Sequence, residues 1–211
     1  MNKVKVVAIA FAFTLVFVSF ATQPVSAASR YDTLMSYVND NYDAVRGGYI
    51  VAAVTRVDPT YGGISILQEI GTLWQRPPPI SITMALDFEV THQWLTSNPE
   101  DQPRYGGFMD YLLGPVIQST TYHGLATWSI LKSHYDIPNI DDYDLNATAL
   151  AFWVNRTVTV SGGYGSEPDA DSDILSTYYA LASFRIIDEE YPLENAWNTY
   201  VNETAVIEFI E

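Results

Sequence analysis

The sequence predicts an all-α chain built as an arc of helical hairpins. Three observations predict it. A Gly-Gly-aromatic triplet occurs three times, as Gly47-Gly48-Tyr49, Gly106-Gly107-Phe108 and Gly162-Gly163-Tyr164. Gly48 to Gly107 is 59 residues and Gly107 to Gly163 is 56, a nearly fixed period that marks a repeat. Each triplet is followed by a run with helical periodicity, and no strand-type alternation competes with it.

Taken in order, residues 31–45 form the first expected helix, with Tyr31, Leu34, Met35 and Val38 on one face. The glycines at 47 and 48 end it. Pro59 sits where a first helical turn tolerates proline, and Ile64, Leu67 and Ile70 follow. Pro77-Pro78-Pro79 is a stiff connector that cannot be helical. Residues 82–96 form a third helix, ending near Asn98-Pro99. Residues 118–134 are apolar almost all round, through Tyr122, Leu125, Ala126, Trp128, Ile130 and Leu131, as in a helix buried on most sides. Pro138 closes the linker after it. Asp142 or Asp144 is the expected cap of a fifth helix carrying Ala147, Leu150, Ala151 and Val154. In residues 174–188, Leu175, Tyr178, Tyr179, Ala182 and Ile186 share a face. Pro192 opens a last helix from about residue 193. The count is about seven helices, those after each turn being the more apolar.

Residues 1–27 read as a signal peptide. Lys3 and Lys5 form a basic start, Val6 to Phe20 is an uncharged apolar core, and Val25-Ser26-Ala27 offers small residues for cleavage. The alternative is an uncleaved N-terminal membrane anchor. Residues 28–211 are then one secreted or extracytoplasmic domain, with no stable membrane insertion after the signal is removed. Removing the two signal lysines takes the net charge from −15 to −17. Such a balance argues against nucleic acid and against strongly anionic partners. The sequence has no cysteine, which excludes disulfides, thiolate ligands and cysteine nucleophiles. Its core must come from packing, and 48% hydrophobic and 14% aromatic residues supply one. Asn146-Ala-Thr148, Asn155-Arg-Thr157 and Asn202-Glu-Thr204 match the glycosylation pattern, which occurs often by chance.

The Gly-Gly-aromatic turn followed by a helix such as Thr177-Tyr178-Tyr179 resembles the prenyltransferase and squalene-oxidase repeat. Protein prenyltransferase β-subunits and terpenoid cyclases carry that repeat. The resemblance covers roughly residues 31–211, in three copies and an incomplete fourth. It implies an (α/α) toroid whose inner ring is lined by the helices after each turn. The family's closed ring has twelve helices, so this chain is expected to be an incomplete barrel. Truncation at residue 211 is the favoured explanation, and an arc completed by a partner is the other.

The resemblance also frames the chemistry. In zinc-dependent relatives an Asp-x-Phe-His-Thr stretch opens an inner helix and helps ligate the metal. Here the stretch is Asp173-Ile174-Leu175-Ser176-Thr177, with Ser176 in the histidine's place, and no cysteine exists. The family's zinc site is therefore not preserved, no cofactor is expected, and Asp173 reads as a helix cap. The cyclases' acidic motif needs an adjacent Asp pair that Asp169-Ala170-Asp171-Ser172-Asp173 lacks. The same run fails as a calcium loop, with Ile174 and Ala180 where glycine and glutamate belong. Asp169, Asp171 and Asp173 remain weak metal candidates, and the expected metal set is none.

His123, alone in an apolar inner helix, is either a core histidine or an acid–base group. Tyr61, Tyr122, Tyr178 and Tyr179 occupy matching places after the turns, with Trp128 further along the second of those helices. Together with His123 they are the candidate ligand-binding wall of a central cavity. Ordinary interhelical packing is the plainer reading of the aromatics. Catalytic residues are unassigned.

Two functions compete. One is an exported, non-catalytic domain that binds an apolar small molecule or a protein partner. The other is an isoprenoid-processing enzyme of prenyltransferase or terpenoid cyclase type, whose remaining catalytic residues lie beyond residue 211. Export, the missing ligands and the acidic surface favour the first.

Overall fold

A computed structural model describes residues 27–73, 79–95, 103–134 and 140–211. The signal sequence expected over 1–27 lies almost wholly outside them, as do Pro77, Pro78, Asn98, Pro99 and Pro138. The chain divides at Tyr37 and Val38 into an N-terminal unit and a body running to Glu211. The helix α1 (Ala27–Asp40) begins in the first unit.

Within the body the helix expected to reach residue 45 gives way to a small antiparallel sheet in the order β1 (Tyr42–Asp43), β2 (Gly48–Val51) and β3 (Val54–Arg56). Tyr49 pairs with Tyr42 on one side and Arg56 on the other. The β2–β3 turn places Ala52 and Ala53 at φ of 53° and 67°. Two left-handed residues in succession make a tight hairpin, a role the sequence signals only when Asn or Gly stands there. Strands of two to four residues are also too short for alternation to register.

Three inner helices follow, α2 (Val57–Glu69), α4 (Gln118–His134) and α6 (Ile174–Glu190), with α4 packed between the other two. Alternating with them are α3 (Ile82–His92) and α5 (Ala147–Asn155), then the short α7 (Ala196–Tyr200) and α8 (Glu203–Ile210). A single 3₁₀ turn occupies Ile140–Tyr143. The all-α arc of hairpins holds, with eight α-helices among the described residues where about seven were expected. The expected last helix is divided: α7 ends at Tyr200, and Asn202 caps α8 by accepting from the Ala205 amide at 3.2 Å. The fifth helix is capped by Asn146, which accepts from the Ala149 amide at 2.9 Å, and not by Asp142 or Asp144. Asp142 lies inside the 3₁₀ lead-in and Asp144 two residues before the cap, so neither stands at the helix start.

The repeat is physical as well as sequential. The first glycine of each triplet has positive φ, 79° at Gly47, 98° at Gly106 and 88° at Gly162. A Cβ there would lie 1.8, 1.9 and 2.3 Å from the carbonyl oxygens of Met84, Ala149 and Ala205. Each turn is thus pressed against the backbone of α3, α5 or α8, an approach only glycine permits. The aromatic that follows, Tyr49, Phe108 or Tyr164, is buried. Its amide is held by a buried threonine from the next inner helix. Tyr49 N donates to Thr60 Oγ1 at 2.8 Å, Phe108 N to Thr121 Oγ1 at 3.2 Å, and Tyr164 N to Thr177 Oγ1 at 2.9 Å. Three residues past each threonine stand Gly63, Gly124 and Ala180, small enough to admit the aromatic ring. Each turn also makes strand-like pairs on both sides, Gln93 with Phe108 and Met109 with Val116, then Val158 with Tyr164 and Gly165 with Ser172. One device therefore sets the register of every inner helix.

Candidate functional site

That register decides which side chains meet. The residue after each repeated threonine is Tyr61, Tyr122 or Tyr178, and the next is Gly62, His123 or Tyr179. Because α2, α4 and α6 lie side by side, these positions form one cluster near the N-terminal ends of the inner helices. Tyr61 and Tyr122 meet edge to face at 5.9 Å, and Tyr122 and Tyr178 at 6.0 Å. Tyr122 stacks on Tyr179 at 5.2 Å, and Tyr61 stacks on His123 at 4.5 Å with 12° between the planes. His123 in turn meets Tyr179 edge to face at 5.4 Å. Burial, with the Tyr61 and Tyr178 hydroxyls beside it, pushes the Tyr122 phenol well above its ordinary pKa. Burial and the neighbouring Asp58 charge raise Tyr179.

Five of the six expected wall residues are thus brought together. Trp128 is not. It is buried further down α4, stacks on Tyr191 at 5.5 Å and donates from its indole Nε1 to the Tyr143 carbonyl at 2.7 Å. One and a half turns along the helix from Tyr122 is too far for it to share that end.

His123 also has a partner that no local pattern announced. Its Nδ1 donates to Asp58 Oδ1 at 2.8 Å, across 65 residues of sequence. The Asp58 side chain is 43% exposed and lies in the first turn of α2, where a helix favours negative charge. A carboxylate can only accept, so the contact orients the imidazole with its Nδ1 proton toward Asp58.

Around this pair stand further polar groups that sequence reasoning did not place. Arg56 Nη1 lies 3.2 Å from Asp110 Oδ2, and the guanidinium sits 5.2 Å from the Tyr111 ring centroid. Burial raises the Asp110 pKa, Asp58 adds to the rise, and Arg56 opposes it. Oδ1 of Asp110 is buried without a hydrogen-bond partner. Glu89, on α3, is fully buried with neither oxygen paired. Burial, with Asp58 contributing, pushes its pKa well above the ordinary carboxylate range. The signals for these residues were long-range, since Asp58, Glu89 and Asp110 come from three different segments.

The remaining candidates lie elsewhere. Asp173 caps α6: its Oδ1 accepts from the Leu175 and Ser176 amides at 2.9 Å each, and its Oδ2 from the Ser176 hydroxyl at 2.6 Å. Burial alone would raise its pKa, and these bonds outweigh that and lower it. A carboxylate so committed, with a serine beside it and no thiolate, does not fit a zinc site. Asp169 and Asp171 lie in the loop before it, Asp169 at φ 69°. No group of three ligating side chains able to hold a metal occurs among the described residues. His92, on α3, is buried against Phe88 at 4.0 Å, its Nδ1 2.6 Å from the Phe88 carbonyl, and burial lowers its pKa. Among the described residues no helix is long and apolar enough to cross a membrane.

The alternation of inner and outer helices around these turns has a match among solved structures. Candida albicans protein geranylgeranyltransferase-I, solved in complex with GGPP, superposes with a TM-score of 0.51 over 87% of this chain. The two share a fold. Sequence identity is 18%, and the match spans 52% of the length of that enzyme's chain. No protein-family model matches this sequence, and no curated protein matches it significantly.

Proposed function

We propose that residues 28–211 form an exported, prenyltransferase-like binding domain, without prenyl-transfer activity, that holds an apolar ligand on its inner-helix aromatic wall. The observation that carries the reading is the convergence of Tyr61, Tyr122, His123, Tyr178 and Tyr179 from three helices onto one cluster. Aromatic walls with a few polar groups are the usual lining of small-molecule sites. Two facts speak against transfer from a diphosphate. That leaving group needs a cationic clamp, yet the cluster presents Asp58 and its nearest cation, Arg56, is paired with Asp110. The zinc ligands of the resembled enzymes are also wanting, with Ser176 in the histidine's place and no cysteine in the chain.

The test is titration of the purified protein with farnesol and with farnesyl diphosphate, following tyrosine resonances, beside a measurement of bound zinc. Binding of the alcohol, with shifts confined to the cluster and lost in Tyr122→Ala, supports the reading. Turnover of the diphosphate with stoichiometric zinc overturns it.

The His123–Asp58 pair favours a second reading, an isoprenoid-processing enzyme that uses His123 as its acid or base. Product formation from an isoprenoid substrate, abolished in His123→Gln with binding retained, would establish it over the first.

A further inference from the structure

The ligand's chemical class can be argued one step further, on the premise that the aromatic wall is a binding site. Asp58 is the carboxylate of the cluster, hydrogen-bonded to His123, and it is partly open to solvent. Its histidine partner is stacked on Tyr61, and its charge is felt by the Tyr179 phenol. Behind it, Asp110 carries a second carboxylate with one buried oxygen unpaired, and a single arginine, Arg56, stands against the two. Glu89, the third acid nearby, is fully buried, and that burial pushes its pKa well above the ordinary carboxylate range. Arg56 answers Asp110 and Asp58 meets only His123, so carboxylates outnumber arginines at the edge of the tyrosine surface. A carboxylate beside aromatic faces is the arrangement that attracts an organic cation, through Coulomb attraction and the ring quadrupoles together. An anion there would be repelled by the carboxylates, and a neutral apolar ligand would leave the Asp58 charge unused.

We infer that the wall binds an organic cation, an alkyl- or aryl-ammonium compound, with its charged nitrogen at Asp58 and its apolar body against Tyr61, Tyr122 and Tyr179.

The test is calorimetric titration of the full chain with benzyltrimethylammonium and with neopentylbenzene, its uncharged carbon isostere of nearly the same shape. The expected result is binding of the cation about tenfold or more tighter than the isostere, the size of a desolvated cation–aromatic contact backed by a carboxylate. In Asp58→Asn the cation should lose most of that advantage while the isostere binds as before. Tyr179→Leu keeps apolar area and removes the ring, so it should weaken the cation more than the isostere even if Asp58→Asn disturbs folding. Equal affinity for the two compounds, or a preference unchanged in both variants, overturns this inference and leaves the apolar-ligand reading standing. Failure of both compounds to bind at millimolar concentration overturns both.

Discussion

Replacing the repeated threonines by valine tests whether one hydrogen-bond device holds all three turns. Valine keeps the shape and has a similar helix propensity, so backbone cost cancels and the change isolates the hydroxyl. In each case the substitution strands the amide of a buried aromatic residue, at about 1–3 kcal/mol for an unpaired buried donor. The structure ranks the three. Thr60 Oγ1 accepts from Tyr49 N at 2.8 Å and also donates to the Arg56 carbonyl at 2.6 Å, so Thr60→Val loses two short bonds. Thr177 accepts at 2.9 Å and donates weakly to the Tyr164 carbonyl at 3.5 Å. Thr121 accepts one longer bond, 3.2 Å. Thr60→Val should therefore cost about 2–3 kcal/mol and the other two about 1–2 kcal/mol each. For a body of this size that is a fall in Tm of roughly 2–4 °C per kcal/mol. Thermal and urea unfolding followed by circular dichroism give the numbers, with the serine variants as controls that keep the hydroxyl. The reasoning is refuted if all three valine variants lie within about 0.5 kcal/mol of the parent, or if serine is as damaging as valine.

Four further outcomes follow from the same structure. Gly106→Ala, at φ 98° with a Cβ 1.9 Å from the Ala149 oxygen, should destabilise by at least about 2 kcal/mol. Gly62→Ala, on a helix with open space at its Cβ, should stabilise by about 0.5–1 kcal/mol, and paired melts read both. Glu89 has a folded pKa raised above the ordinary 4.5, so the folded state binds the extra proton. Its contribution is fully present below pH 4.5 and is lost as pH rises toward the folded value, at about 1.4 kcal/mol per pH unit within that window. Glu89→Gln should gain on the parent steadily from pH 5 upward, measured by urea midpoints, and a pH-independent difference would contradict the assignment. Asp173→Ala removes the α6 cap and should cost about 1 kcal/mol near neutral pH. Because the folded pKa of Asp173 is lowered, its contribution is present above the ordinary 3.8 and is lost as pH falls through the folded value. Unfolding at pH 7 and pH 2 separates the two.

The parts of the fold that could be read in the sequence are those fixed by local pattern. Helices α4 and α6 start where the apolar periodicity starts, because a period of 3.6 over seventeen residues leaves little freedom. The sheet over residues 42–56 was hidden, since its turn uses two alanines and its strands are too short to alternate. The aromatic wall was legible because Tyr61, Tyr122 and Tyr178 each directly follow a threonine at a similar distance past the repeated turn. Asp58 as the partner of His123 was not, because helix packing, and not spacing along the chain, brings residues 58 and 123 together. Trp128 misled because apolar helices bury aromatics along their whole length, whereas the cluster is made by the fifth and sixth residues of the inner helices.

Each glycine turn is locked by a helix that follows it by 37 residues at Gly47 and by 43 at Gly106 and Gly162. At synthesis rates of about 5–20 residues per second, the locking helix is made within roughly 2–9 seconds of its turn. The first lock needs nothing made after α3 and the second nothing made after α5. The order of translation is thus an order of closure, repeat by repeat. A lesion at one turn should delay its own repeat while those already closed keep their protected amides, a pattern that pulsed hydrogen exchange on stalled chains would display.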